Sequence, residues 1–117
     1  MSSTSLALAF KFAATFVAGL LTLMLFDSNP WLAVLGWTVA ATAVNYIIGD
    51  LFILPAVGNA AAAIADGGLG AILGWVFSLI FAGFRSTGST LIGLAALLAL
   101  IEYFFHVFLK ESPKVAP

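Results

Sequence analysis

No cysteine occurs in the 117 residues, which excludes disulfides, thiol nucleophiles and cysteine-ligated metal. Charge is almost as scarce. Four basic and five acidic side chains make up 8% of the chain, against about a quarter in a typical soluble domain. That is too little to cover a soluble surface, and a net charge of −1 gives no basic face for nucleic acid. A single histidine falls short of the three or four protein ligands usual at a zinc site. No basic residue precedes the apolar run in MSSTSLALAF. A cleaved signal peptide normally starts with one, so the first apolar segment is expected to stay as a membrane helix.

What is present is apolar. Hydrophobic residues make up 63% of the chain and the mean hydropathy is +1.19, which points to an integral membrane protein. A bilayer core of about 30 Å needs about 20 helical residues. The sequence divides into four such stretches, about 5–26, 30–50, 59–84 and 89–109, followed by a short polar tail, 110–117. DSNPW marks the first break: Asp27, Ser28 or Asn29 can cap the next helix, and Pro30 suits its first turn. GDLFILPAVGN marks the second break, because Pro55 disfavours helix at Leu54 and Gly58 and Asn59 are turn residues. Two forms suit this segment: an interfacial or re-entrant link over 51–58, or a second helix that continues to Leu54. RSTGS is the third break, with Ser86, Thr87, Ser89 and Thr90 as turn and cap residues of the last span. Such short breaks make neighbouring helices antiparallel. The expected fold is therefore a single all-α domain, an up-down-up-down four-helix membrane bundle with both termini on one side.

The polar residues inside these spans fall at one depth. Lys11, Asp66 and Glu102 each lie six or seven residues from the terminal side of their spans, which is about 9–11 Å of helix. Asn45 is at a similar level, and Asp50 marks the end of its span near the membrane surface. Residues three or four apart share a helix face. On that basis Lys11, Thr15, Ala18 and Thr22 form one stripe. Thr38, Ala41 or Thr42, Asn45 and Gly49 form a second, Asp66, Gly70, Gly74 and Ser78 a third, and Ala95, Ala99, Glu102 and His106 a fourth. A charge at the bilayer centre costs roughly 3 kcal/mol on insertion scales. A buried polar layer is therefore expected, with Lys11 paired to Asp66 or Glu102.

Other motifs carry less. Glu102 and His106 have the spacing of a metal-binding pair; Asp50 or Asp66 could complete a mixed site, but with no further histidine no metal or cofactor is expected. Gly70 and Gly74 form a small-xxx-small helix-contact motif. Trp31, Trp37, Tyr46 and Tyr103 are candidate interface anchors, whereas Trp75 lies too deep and is expected to pack within or beside the bundle. No serine or threonine has a nearby base, so no catalytic constellation is visible and an enzyme is not expected.

IGDLFILPAVGN followed by ADGG resembles the central signature of the YndM-like family of small bacterial integral membrane proteins of unknown function. The matching positions are Ile48, Gly49, Asp50, Ile53, Leu54, Pro55, Gly58, Asn59, Ala65 and Asp66. The resemblance implies a four-helix architecture in a bacterial cytoplasmic membrane. It supplies no activity and no catalytic residues.

The expected role is a structural or accessory membrane component with a buried polar layer. The alternative is an oligomeric proton- or ion-coupled transporter or channel component using Asp66 and Glu102. Partners are the lipid bilayer and either a second copy or another membrane protein, with no nucleic acid. Lys110 and Lys114 lie on the terminal side, with Lys11 just inside it, while Arg85 lies on the other. The positive-inside rule then places both termini in the cytoplasm. A reporter active only in the periplasm should be silent when fused after Pro117 and active when inserted beside Arg85. The reverse pattern would invert this topology.

Overall fold

The computed structural model describes residues 3–111. Four long helices account for nearly all of them. α1 is Ser3–Gly19, prolonged by a π-helical turn over Leu20–Met24. α2 starts at Trp31, is α-helical to Val44, winds as a π-helix over Asn45–Ile53, and ends with the α-turn Leu54–Val57. α3 is Asn59–Ile80 and α4 is Gly88–Glu111. All four contain a stretch long and apolar enough to cross a bilayer.

Consecutive helices are antiparallel, as contacts at both ends of the bundle show. At one end the α1–α2 loop meets the α3–α4 loop: the Asn29 amide donates to the Arg85 carbonyl at 2.7 Å, and the Arg85 N–H donates to Asn29 Oδ1 at 2.8 Å. At the other end Ala7 of α1 packs with Phe105 of α4, and the Asn59 amide donates to the Tyr103 carbonyl at 3.2 Å.

The core lies between these ends. Trp37 is fully buried among Ala18, Leu23, Val34, Ala41, Leu94 and Leu98. Its Nε1–H donates to the Gly70 carbonyl at 3.0 Å, fixing α2 against α3. Trp37 is thus a core residue rather than an interface anchor. Trp75, expected to pack within or beside the bundle, is half exposed on the outer surface. Phe10, Phe26, Phe52, Ile64, Ile80, Ile92 and Phe104 are also exposed. So large an apolar exterior suits lipid and not water.

Two breaks differ from the sequence reading. Pro55 does not end α2, which runs on to Val57, past the Leu54 that one form of the sequence reading allowed. A proline inside a helix lacks an N–H and clashes with the carbonyl four residues back. The wider i→i+5 winding just before Pro55 provides a local adjustment there. Gly49, Asp50 and Pro55 are accordingly helical. The turn falls to Gly58 alone, at φ +86°, a conformation glycine adopts without a Cβ penalty, and Asn59 already opens α3. At the first break, Pro30 takes the N-cap position of α2 with no side-chain cap bond. Asp27 instead crosses to the start of α4. There it accepts from the Thr87 N–H at 2.9 Å and from the Thr87 and Thr90 hydroxyls at 3.0 Å each. Carboxylates are favoured at a helix N-terminus because its first amides have no helical partners.

α3 and α4 pack most extensively, and the backbones come close at Gly67. A Cβ there would run into the Ala95 carbonyl, whereas Gly70 faces the Leu98 side chain and Gly74 faces Leu91 and Trp37. Gly70 and Gly74 are therefore contact residues, but against side chains. A methyl at Gly68 would meet nothing within 4 Å. Gly67→Ala should lower stability in mixed micelles by about 1–3 kcal/mol from overpacking. Gly68→Ala should be neutral or raise it slightly, because alanine favours helix by about 1 kcal/mol over glycine. Denaturant titration should resolve the two, and equal effects would count against this close approach.

Candidate buried polar centre

Every helix contributes to one buried layer. α1 brings Lys11, α2 brings Asn45 and Asp50, α3 brings Asp66, and α4 brings Glu102. All are at most 1% exposed. The Lys11 ammonium donates to Glu102 Oε2 at 2.6 Å and to Asp50 Oδ2 at 2.9 Å. It also lies 5.0 Å from the centre of the Phe105 ring, within the range at which a cation is attracted to an aromatic face. One lysine therefore ties α1 to both α2 and α4.

Asp66 completes the group. Asp50, Asp66 and Glu102 each place a carboxylate oxygen within 4.8 Å of the other two. Gly49 makes room for this, since a Cβ at that position would overlap the Asp66 carboxylate. Gly49 is thus the slot for an acid rather than part of a turn.

The location of Asp50 is the main correction to the sequence reading, which put it at the membrane surface and paired Lys11 with Asp66 or Glu102. Glu102 is one partner and Asp50 is the other. The cause is the π-helical winding. In a regular α-helix Asn45 stacks on Gly49 and turns Asp50 away. With i→i+5 bonding the next turn is wider, and Asn45, Gly49 and Asp50 are all buried.

The neighbouring polar residues share this burial. Thr15 stands one turn beyond Lys11 on α1, and Thr42 and Asn45 precede Asp50 on α2. Among the described residues their hydroxyl and amide groups have no hydrogen-bond partner. Asn45 and Thr15 are fully buried, so this is a costly arrangement unless something else uses those groups. Farther along the same stripes, the Thr22 and Thr38 hydroxyls donate back to the Ala18 and Val34 carbonyls, each at 2.8 Å. His106 follows Glu102 by one turn, but its side chain lies outside the described residues, as do those of Lys110 and Lys114. Arg85 is at the opposite end of the bundle, beside Asn29.

Fold and layer together define a four-helix membrane protein with a buried cluster of acids around one lysine. Comparison with known proteins agrees with that class. Residues 2–114 match the family described as "Protein of unknown function (DUF2512)", and the chain belongs to this family. It is 39% identical over 71 residues to the uncharacterized membrane protein YndM of Bacillus subtilis (strain 168). That match covers 59% of this chain and 39% of the relative's length. No solved structure matches the chain.

Removing one member of a buried charge pair typically costs about 3–5 kcal/mol, because the other charge is left uncompensated. Lys11→Met, Asp50→Asn and Glu102→Gln should each destabilise the bundle on that scale in denaturant titrations. Double-mutant cycles of Lys11 with Asp50, and of Lys11 with Glu102, should both show coupling of about 0.5–3 kcal/mol. Strict additivity in both cycles would exclude the bridge.

Proposed function

We propose that the chain is a proton-exchanging membrane component, working as an oligomer in a bacterial cytoplasmic membrane with its termini in the cytoplasm. One observation carries this reading: among the described residues, three fully buried carboxylates gather beside a single lysine. Carboxylates grouped this closely in a buried layer are placed to pass a proton from one to another. Ionisable groups inside a membrane protein often mark proton or ion pathways.

The residues would divide the work. Lys11 holds Asp50 and Glu102 together, and Asp66 faces them from α3. Loss or gain of a proton on any of these acids changes the pull on the lysine and so the contact of α1 with α2 and α4. Trp37 and its neighbours fill the middle of the bundle, so a conduction path calls for a second copy. The orientation follows from Lys110 and Lys114 against Arg85.

The test is infrared spectroscopy of the protein in lipid vesicles, following the carbonyl band of protonated carboxyl groups. At neutral pH the wild-type protein should show such a band. It should shrink on moving to alkaline buffer and change in Asp50→Asn, Asp66→Asn or Glu102→Gln. Acids that all stay ionised from mildly acidic to alkaline buffer would overturn proton exchange and leave the layer a packing device.

A further inference from the structure

Three buried polar side chains, one turn beyond the ion pair, take no part in it. Thr15 and Asn45 are fully buried and Thr42 is 7% exposed. Contacts on either side bring them to one level. Lys11 bonds Asp50 toward the terminal end, and Gly19 lies against Trp37 and Val34 toward the middle of the bundle. Because α1 and α2 are antiparallel, the α1 turn at Thr15 runs beside the α2 turn that carries Ala41, Thr42 and Asn45. On the same two helices the Thr22 and Thr38 hydroxyls close on the carbonyl four residues back. Those of Thr15 and Thr42 do not. Among the described residues, neither these hydroxyls nor either end of the Asn45 amide has a hydrogen-bond partner. Buried polar groups in folded proteins are almost always bonded, to protein or to water.

We propose that Thr15, Thr42 and Asn45 hold at least one ordered water molecule between α1 and α2. The groups themselves select the ligand. Asn45 presents an unpaired donor, Nδ2, and an unpaired acceptor, Oδ1, and each hydroxyl can act as either. A metal cation would serve the oxygens and leave the Asn45 N–H groups unpaired. An anion would leave Oδ1 unpaired. Water donates and accepts, and a buried water typically bonds about three otherwise unsatisfied groups. The next buried residues on these faces, Ala18 and Ala41, are small, and Trp37 fills the interior beyond them. Asn45 precedes Asp50 by one π-helical turn, so the water lies beside the acid layer, on its Trp37 side. It ties α1 to α2 a second time, one turn beyond the Lys11–Asp50 ion pair. This site stands whether or not the acids exchange protons.

A crystal structure of the full chain grown from lipid, at a resolution that shows ordered water, tests this directly. Density within about 2.7–3.2 Å of the Asn45 amide and of at least one of the two threonine hydroxyls is expected. Direct bonds among the three side chains, or no density beside them, would overturn the proposal. Density ringed only by oxygens at metal-ligand distances would overturn the choice of ligand. Apolar replacements give an independent check by denaturant titration. Thr15→Val, Thr42→Val and Asn45→Leu should each lower the unfolding midpoint, because each leaves the water and the remaining groups short of a partner. The triple variant removes the polar groups together with their water, and should lose less than the three single losses combined. Single losses that simply add would overturn a shared ligand. Groups that merely lack partners would respond with the opposite sign, each replacement raising the midpoint, and that result would overturn the water as well.

Discussion

A single ammonium group holds the four-helix arrangement together in its polar layer. Lys11 reaches Glu102 on α4 and Asp50 on α2 at hydrogen-bonding distance, and Asp66 of α3 meets the same acids. Most of the outward surface is lipid-compatible and does little to specify which helix faces which. Packing of small residues and polar contacts must do so. A buried charge is costly in any wrong arrangement, which makes Lys11 a strong selector of the right one.

The other contacts are consistent with that layer. Gly49 admits the Asp66 carboxylate, and Gly67 lets α3 and α4 meet at the backbone, which draws Glu102 toward Asp66. Trp37 fixes the register of α2 on α3 through the Gly70 carbonyl. At the far end Asp27 and Asn29 join the two loops, so that α1 and α4 are held at both ends. Among the described residues three carboxylates gather in this layer, and two of them bond Lys11 directly.

Much of the architecture was legible in the residues. Pro30, Gly58 and the RSTGS stretch punctuate the apolar runs, and counting inward from them places Lys11, Asn45, Asp66 and Glu102 at one depth. The stripes through Thr15 and Ala18, and through Thr38 and Asn45, are buried as their spacing indicates. Asp50 was misplaced because a 3.6-residue period and a break at Pro55 were assumed, whereas the chain adopts a π-helical winding there. Asp27 and Asn29 read as local caps, since nothing in DSNPW reveals a loop sixty residues away. Trp37 read as an interface anchor because its N–H partner is a carbonyl on another helix. Local chemistry predicted the element in each case, and the tertiary partner decided the outcome.

Lysine has an alternative to this bridge. Its long apolar stem allows the ammonium to snorkel toward the headgroups and leave the acids behind. Solid-state NMR of the protein in lipid bilayers, with nitrogen-15 in lysine and carbon-13 in the carboxyls of aspartate and glutamate, distinguishes the two. The Lys11 side-chain signal is identified by its loss in Lys11→Met. Dipolar correlations from its Nζ to the carboxyl carbons of both Asp50 and Glu102 are expected. A Lys11 nitrogen that correlates with lipid phosphorus and with neither carboxyl would contradict the bridge on which the buried centre is built.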